Sequence, residues 1–333
     1  MGNPWLQFFI CAAIIILAGS QLTRNAAIVA ENTGIGTAWA GAMMLPLATS
    51  LPELVTTLSA VFIDAPDLAI GNILGSCLFN LSLLAVIDLL EGRGPLTARI
   101  NQGHIITASL SVITICLASI GILGVIYFPI GWIGSETLLI AVAYIYGSRL
   151  LYRYEKKILP LVPPGKEINA DKKSISTGRA LLQFSIAAGF IVLAGVLITG
   201  ASDRIALETG LGHTFVGSIF LAISTSLPEA VTTITAVRLG YLDMAVANIF
   251  GANFMNFFVV FLADLFYRQG PLLYAVSDSH LISAFMVVLL STIIVFGLIY
   301  RSDKKVFRIG YDTFLILAGY LAAVFLLFKS GGN

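Results

Sequence analysis

The sequence predicts an all-α membrane protein of ten transmembrane helices, arranged as two inverted five-helix repeats with broken second and seventh helices. Three observations carry this: an apolar composition, a lopsided distribution of positive charge between loops, and an internal register that recurs after 176 residues.

Of the 333 residues, 58% are hydrophobic and 11% charged, whereas soluble domains carry about 25% charged residues. A spanning helix needs roughly 20 mostly apolar residues. Such runs lie at about 5 to 23, 36 to 62, 67 to 91, 103 to 126, 129 to 151, 180 to 200, 212 to 238, 242 to 266, 281 to 300 and 309 to 328. The first is read as a span and not a leader, because no Lys or Arg precedes Trp5 and the run to Ala18 is long for a signal. Cys11, Cys77 and Cys116 all fall in apolar runs without metal-type spacing, so neither a disulfide framework nor a zinc site is implied. The net charge of +1 points to no acidic partner such as nucleic acid, and no obligate protein partner or cofactor is evident. The partners expected are membrane lipid and inorganic cations.

Charge placement orients the chain. Between the fifth and sixth runs lie Arg149, Arg153, Lys156, Lys157, Lys166, Lys172, Lys173 and Arg179, and an excess of Lys and Arg marks a cytosolic loop. Five spans on either side then put both termini outside, in what is expected to be the plasma membrane. On this topology 16 of the 19 basic residues are inside, leaving only Arg204, Arg268 and Lys329 outside. The chain divides into a first five-helix repeat (1–151), a basic cytosolic linker (152–179) and a second repeat (180–333). The linker reads as a solvated connector.

Residues 17 to 106 align without a gap on 193 to 282. Thr49-Ser50-Leu51-Pro52-Glu53 meets Thr225-Ser226-Leu227-Pro228-Glu229, and Asp67, Asn72, Gly75, Asn80, Asp88 and His104 meet Asp243, Asn248, Gly251, Asn256, Asp264 and His280. Chance identity in apolar sequence would not match this many Gly, Pro, Asn and acidic residues in one register. Five spans is an odd number, so the second copy is inverted relative to the first, a recurring transporter plan with substrate held between broken helices near the midplane.

Glu53 and Glu229 fall inside the second and seventh runs, where a charge at the bilayer centre costs about 2.5 to 3.5 kcal/mol on insertion scales. Proline has no N–H, so Pro52 and Pro228 release the carbonyls four residues back, at Ala48 and Ser224. Freed carbonyls are cation ligands, tolerated only facing protein or a wet cavity. A capping box, Ser50 with Glu53 and Ser226 with Glu229, accounts for the local spacing but not for matched breaks in oppositely oriented spans. Asn72, Ser76 and Asn80 recur every four residues on one helix face, as do Asn248, Ala252 and Asn256. Asn80 and Asn256 are read as ligands; Asn72 and Asn248 suit interhelical bonding better. His104 and His280 are read as interfacial packing, and Asp64 and Asp67 as loop or cap groups.

Two carboxylates with carbonyls, hydroxyls and amides form a hard-oxygen set that suits calcium; magnesium demands a tighter octahedron. Sodium also fits, and the lack of Cys or His among the candidates argues against zinc or copper. At these residues the chain resembles the calcium/cation antiporter superfamily, the sodium/calcium exchangers and their relatives. The resemblance rests on Ala48 to Glu53 with Gly71 to Asn80, and on Ser224 to Glu229 with Asn248 to Asn256. It implies a non-enzymatic antiporter working by alternating access, exchanging calcium for sodium or, alternatively, for protons. Calcium would bind between Glu53 and Glu229, with oxygens near Thr49, Ser50, Thr225 and Ser226 sharing coordination and the first and sixth spans sliding. The family often has Ser at the place of Ala252 and, in some branches, Asp at the place of Asn256; both are absent here. A channel would ordinarily need a ring of subunits, and an intramembrane diacid protease would want aspartates and a reactive water.

Overall fold

A computed structural model describes residues 3–125, 128–158, 175–208, 224–306 and 308–330. The described chain is helical apart from short turns, an isolated bridge between Ile130 and Ile133, and a hairpin pairing β1 (Lys305–Val306) with β2 (Ile309–Gly310). Its helices are α1 (Pro4–Thr33), α2 (Thr37–Thr49), α3 (Leu51–Phe62), α4 (Pro66–Glu91), α5 (His104–Ile122), α6 (Ser135–Ile158), α7 (Thr177–Glu208), α8 (Leu227–Arg238), α9 (Leu242–Phe266), α10 (His280–Tyr300) and α11 (Tyr311–Ser330). Among the described residues, α1, α4, α5, α7, α9 and α10 are long and apolar enough to cross a membrane, and α2 with α3, bent by 44°, makes a seventh. Large apolar side chains such as Phe9, Leu17, Val142, Leu193 and Phe296 lie on the outer surface. A contiguous apolar surface of this kind faces lipid, and the protein is a multi-pass integral membrane protein.

Several boundaries differ from the sequence reading. The first helix runs ten residues beyond Thr23, because Asn25 to Thr33 contains good helix formers and only Gly34, at φ +67°, supplies the left-handed C-cap. Its start is fixed by Asn3, whose Oδ1 accepts from the Trp5 N–H at 2.9 Å, with Pro4 following. α6 continues past the apolar run to Ile158 and α7 begins at Thr177, since Arg and Lys sustain a helix while their heads reach for water. Residues 159–174, with Lys166, Lys172 and Lys173, lie outside the described residues, as do residues 212–223 of the seventh predicted span.

At the centre stand α4 and α9, each with 72% of its most apolar stretch buried; the corresponding shares for α1 and α7 are 33% and 28%. α9 is packed against α2 at backbone distance. A Cβ on Gly251 would run into the Ala42 carbonyl, and one on Gly41 into the Met244 carbonyl. Ala40–Met44 forms a π-helical turn at this contact, a feature that clusters at functional sites.

Matched residues pair crosswise. Asp88 on α4 accepts from the Gly310 N–H at 2.6 Å and the Thr313 hydroxyl at 2.5 Å, at the start of α11. Asp264 on α9 accepts from the Gly134 N–H at 2.9 Å and from the Thr137 hydroxyl, at the start of α6. Gly134 and Gly310, like Thr137 and Thr313, are again 176 residues apart, beyond the aligned stretch. His104 Nε2 meets Asp243 Oδ1 at 2.8 Å, and His280 Nε2 meets Asp67 Oδ1 at 3.1 Å. These contacts correct the reading of both histidines as packing groups. Each ties one copy of the 176-residue register to the other, as does Asp67, which also accepts from the Ser277 N–H.

Candidate functional site

The two Thr-Ser-Leu-Pro-Glu segments break the helix in one way. Ser50 sits at φ −86°, ψ 6° between α2 and α3, and Ser226 at φ −88°, ψ 10° before α8. Both lie in the sparsely populated bridge region, where proline one residue into the next half-helix removes a donor. Neither serine caps its own helix. Each hydroxyl instead crosses to the opposite segment: Ser50 Oγ donates to Glu229 Oε1 at 3.1 Å, and Ser226 Oγ to Glu53 Oε1 at 3.2 Å. The capping-box alternative is not realised at either serine. Each serine serves the carboxylate of the opposite segment and not the glutamate three residues after it.

Glu53 and Glu229 are 1% and 2% exposed. Their second oxygens, both Oε2 atoms, have no hydrogen-bond partner among the described residues. Other buried acceptors on α4 and α9 also lack a donor among the described residues: Asn80 Oδ1, Asn256 Oδ1 and the Ser76 hydroxyl, with Asn72 Oδ1 and Asn248 Oδ1. Buried polar atoms left unpaired cost about 1 to 3 kcal/mol each, more when charged. Six of these seven atoms are carboxylate or amide oxygens, which only accept; they can be satisfied by donors or by a cation.

The other predicted residues separate by role. Asn72 Nδ2 donates to Thr57 Oγ1 at 3.3 Å, and Asn248 Nδ2 to Thr232 Oγ1 at 3.0 Å and Thr233 Oγ1 at 2.9 Å, which fastens the half-helix after each Glu to its long neighbour. Thr49 Oγ1 turns back to the Leu45 carbonyl, and Ser224 accepts from the Ser202 hydroxyl at 2.9 Å. Ala48 and Thr225 are buried at the breaks. Ala252, fully buried, brings no polar side-chain atom to the face it shares with Asn248 and Asn256.

Two residues at the centre went unread in the sequence. Asn253 accepts from Asn80 Nδ2 at 3.1 Å and donates to the Cys77 carbonyl at 3.2 Å, and Asn256 Nδ2 reaches the Cys77 thiol at 3.7 Å. Positions 77 and 253 are themselves 176 apart, so the register held the signal; the mismatch of Cys with Asn hid it. Among the described residues no three His, Cys, Asp or Glu side chains converge as in a resident metal centre.

Comparison with known proteins bears on the whole chain. The family model described as sodium/calcium exchanger protein matches residues 3–149 and 179–329. The chain is 24% identical to sodium/calcium exchanger MaX1 of Methanosarcina acetivorans, over 92% of this chain and 96% of that protein. It is 27% identical to inner membrane protein YrbG of Escherichia coli K12, over 74% of each. Among solved structures it is similar to the sodium–calcium exchanger NCX_Mj soaked with 10 mM sodium, with a TM-score of 0.72 at 20% identity over 97% of this chain and 99% of that one. At that identity the structural likeness speaks to the fold.

Proposed function

The chain belongs to the sodium/calcium exchanger protein family, and from that premise we propose that it exchanges calcium for sodium across the plasma membrane by alternating access. The carrying observation is the set of buried, donorless oxygens around Glu53 and Glu229. Calcium takes six to eight oxygens in flexible geometry, and this set offers carboxylates, amides and a hydroxyl without a rigid cage. We assign Glu53 and Glu229 as the charged ligands and Asn80, Asn256 and Ser76 as neutral ones. The backbone about Ala48, Thr49, Ser50, Ser224, Thr225 and Ser226 completes the shell. The architecture that goes with this reading is ten spans in two inverted repeats, 1–151 and 180–333, with both termini outside. The sparsely buried α1 and α7 are the elements that slide past the central helices.

A specific observation supports protons as the alternative coupling ion. Two carboxylates neutralise one calcium or two monovalent ions, and Ala252 and Asn256 add no further charge. Calcium uptake into proteoliposomes, measured with opposing sodium, potassium or proton gradients in turn, distinguishes the readings. Sodium-driven uptake is the expected result; uptake driven only by protons transfers the assignment, and flux that needs no opposing gradient overturns exchange. Glu53→Gln and Glu229→Gln are each expected to abolish uptake.

A further inference from the structure

An asparagine side chain has an acceptor on one branch and a donor on the other, so tethering the Nδ2 fixes where the Oδ1 points. Both asparagines assigned above as neutral ligands are tethered in this way. Asn80 Nδ2 is held by Asn253 Oδ1 at 3.1 Å, and Asn253 is itself fixed because its own Nδ2 bonds the Cys77 carbonyl at 3.2 Å. Asn256 Nδ2 is held by the Cys77 thiol at 3.7 Å. All four side chains are at most 1% exposed, and Oδ1 of Asn80 and of Asn256 is left without a partner.

We infer that Asn253 and Cys77 are positioning residues that aim the carbonyl oxygens of Asn80 and Asn256 at the cation, and that they do so with unequal strength. The inference rests on the exchange reading above. Asn80 is held by an amide oxygen, a good acceptor, within a chain of two hydrogen bonds that polarise each other. Asn256 is held by sulfur, a weak acceptor. Although Asn80 and Asn256 match across the register, one carbonyl is therefore stiffly presented and the other yields. A cation is gripped through Asn80 and released most readily on the side of Asn256. Neither Asn253 nor Cys77 need touch the ion.

Exchange of a single atom type at Cys77 tests this. Cys77→Ser replaces sulfur by a better acceptor of similar size, and Cys77→Ala removes the acceptor. With calcium titrated calorimetrically into the purified full-length protein, Cys77→Ser is expected to lower the Kd about threefold and Cys77→Ala to raise it about threefold. In proteoliposomes the same shifts should appear in KM, with kcat for Cys77→Ala within twofold of the parent. Asn253→Ala, checked by thermal unfolding, is expected to raise the Kd about tenfold. A purely packing role for Cys77 would move Ser and Ala variants in one direction; that result, or unchanged Kd in both, overturns the inference. If the parent protein exchanges calcium and Glu53→Gln abolishes it while the two Cys77 variants coincide, only the positioning roles fall. If the parent protein binds neither calcium nor sodium, the exchange reading falls with them.

Discussion

A hydroxyl that reaches across to the opposite carboxylate makes each glutamate dependent on the other half of the chain. Ser50 and Ser226 each hold one oxygen of the opposing Glu, and the second oxygen has no hydrogen-bond partner among the described residues. A hydrogen bond to a charged group contributes about 1.5 to 3 kcal/mol when fully buried and well formed. Bonds of 3.1 and 3.2 Å belong at the lower end, so Ser50→Ala and Ser226→Ala are each expected to raise the half-saturating calcium concentration on the order of tenfold. Because the two bonds are reciprocal, the losses should agree within about threefold; calcium-dependent uptake measured for both variants checks this. At the same scale the sequence revealed both glutamates, because an ionisable group inside an apolar run is conspicuous. It did not reveal which serine serves which glutamate. Serine three residues before glutamate fits a capping box equally well, and only the meeting of two distant segments decides between them.

At the level of elements, the half-helices after the breaks are anchored by neutral bonds and by close approach. Asn248 fastens α8 to α9 through Thr232 and Thr233. Asn248→Leu removes donors from two buried hydroxyls and is expected to destabilise the protein by about 2 to 3 kcal/mol, read as a lowered unfolding midpoint in detergent. The π-helical turn in α2 and Gly251 on α9 form a second anchor, where backbone lies on backbone with no room for a methyl group. Gly251→Ala must push the turn away and should cost about 1 to 3 kcal/mol or more; Gly240→Ala, with open space around its Cβ but φ +85°, is the comparison, costing through backbone strain alone. Helix existence was legible from apolar runs, since burial in lipid demands them. Helix ends were less so: α1 and α6 outrun their apolar runs because good helix formers continue α1 to its Gly34 cap and Arg and Lys sustain the last turns of α6.

Across the whole molecule, matched acidic residues bind the two copies of the register together. Asp88 holds α11 and Asp264 holds α6, each buried and each bonded to a glycine N–H and a threonine hydroxyl. Asp88→Ala and Asp264→Ala are each expected to lower stability by about 2 to 4 kcal/mol, with Thr313→Val and Thr137→Val about half as costly. Thermal unfolding of the four variants in one detergent tests both the size and the matching. The duplication was legible because Gly, Pro, Asn and acidic residues keep their register. Its continuation to Gly134 and Thr137 was not, because two isolated matches in otherwise divergent apolar sequence acquire meaning only when one aspartate is seen to hold both.

The Asp88 contact also constrains how the protein is made. Its donors lie 222 and 225 residues further along the chain, at Gly310 on β2 and Thr313 on α11. Until α11 arrives, a buried carboxylate on α4 has neither donor and must keep access to water or a chaperone. The first half of the molecule therefore cannot complete its fold during synthesis, and a chain truncated before Gly310 is expected to be degraded instead of accumulating as a stable half.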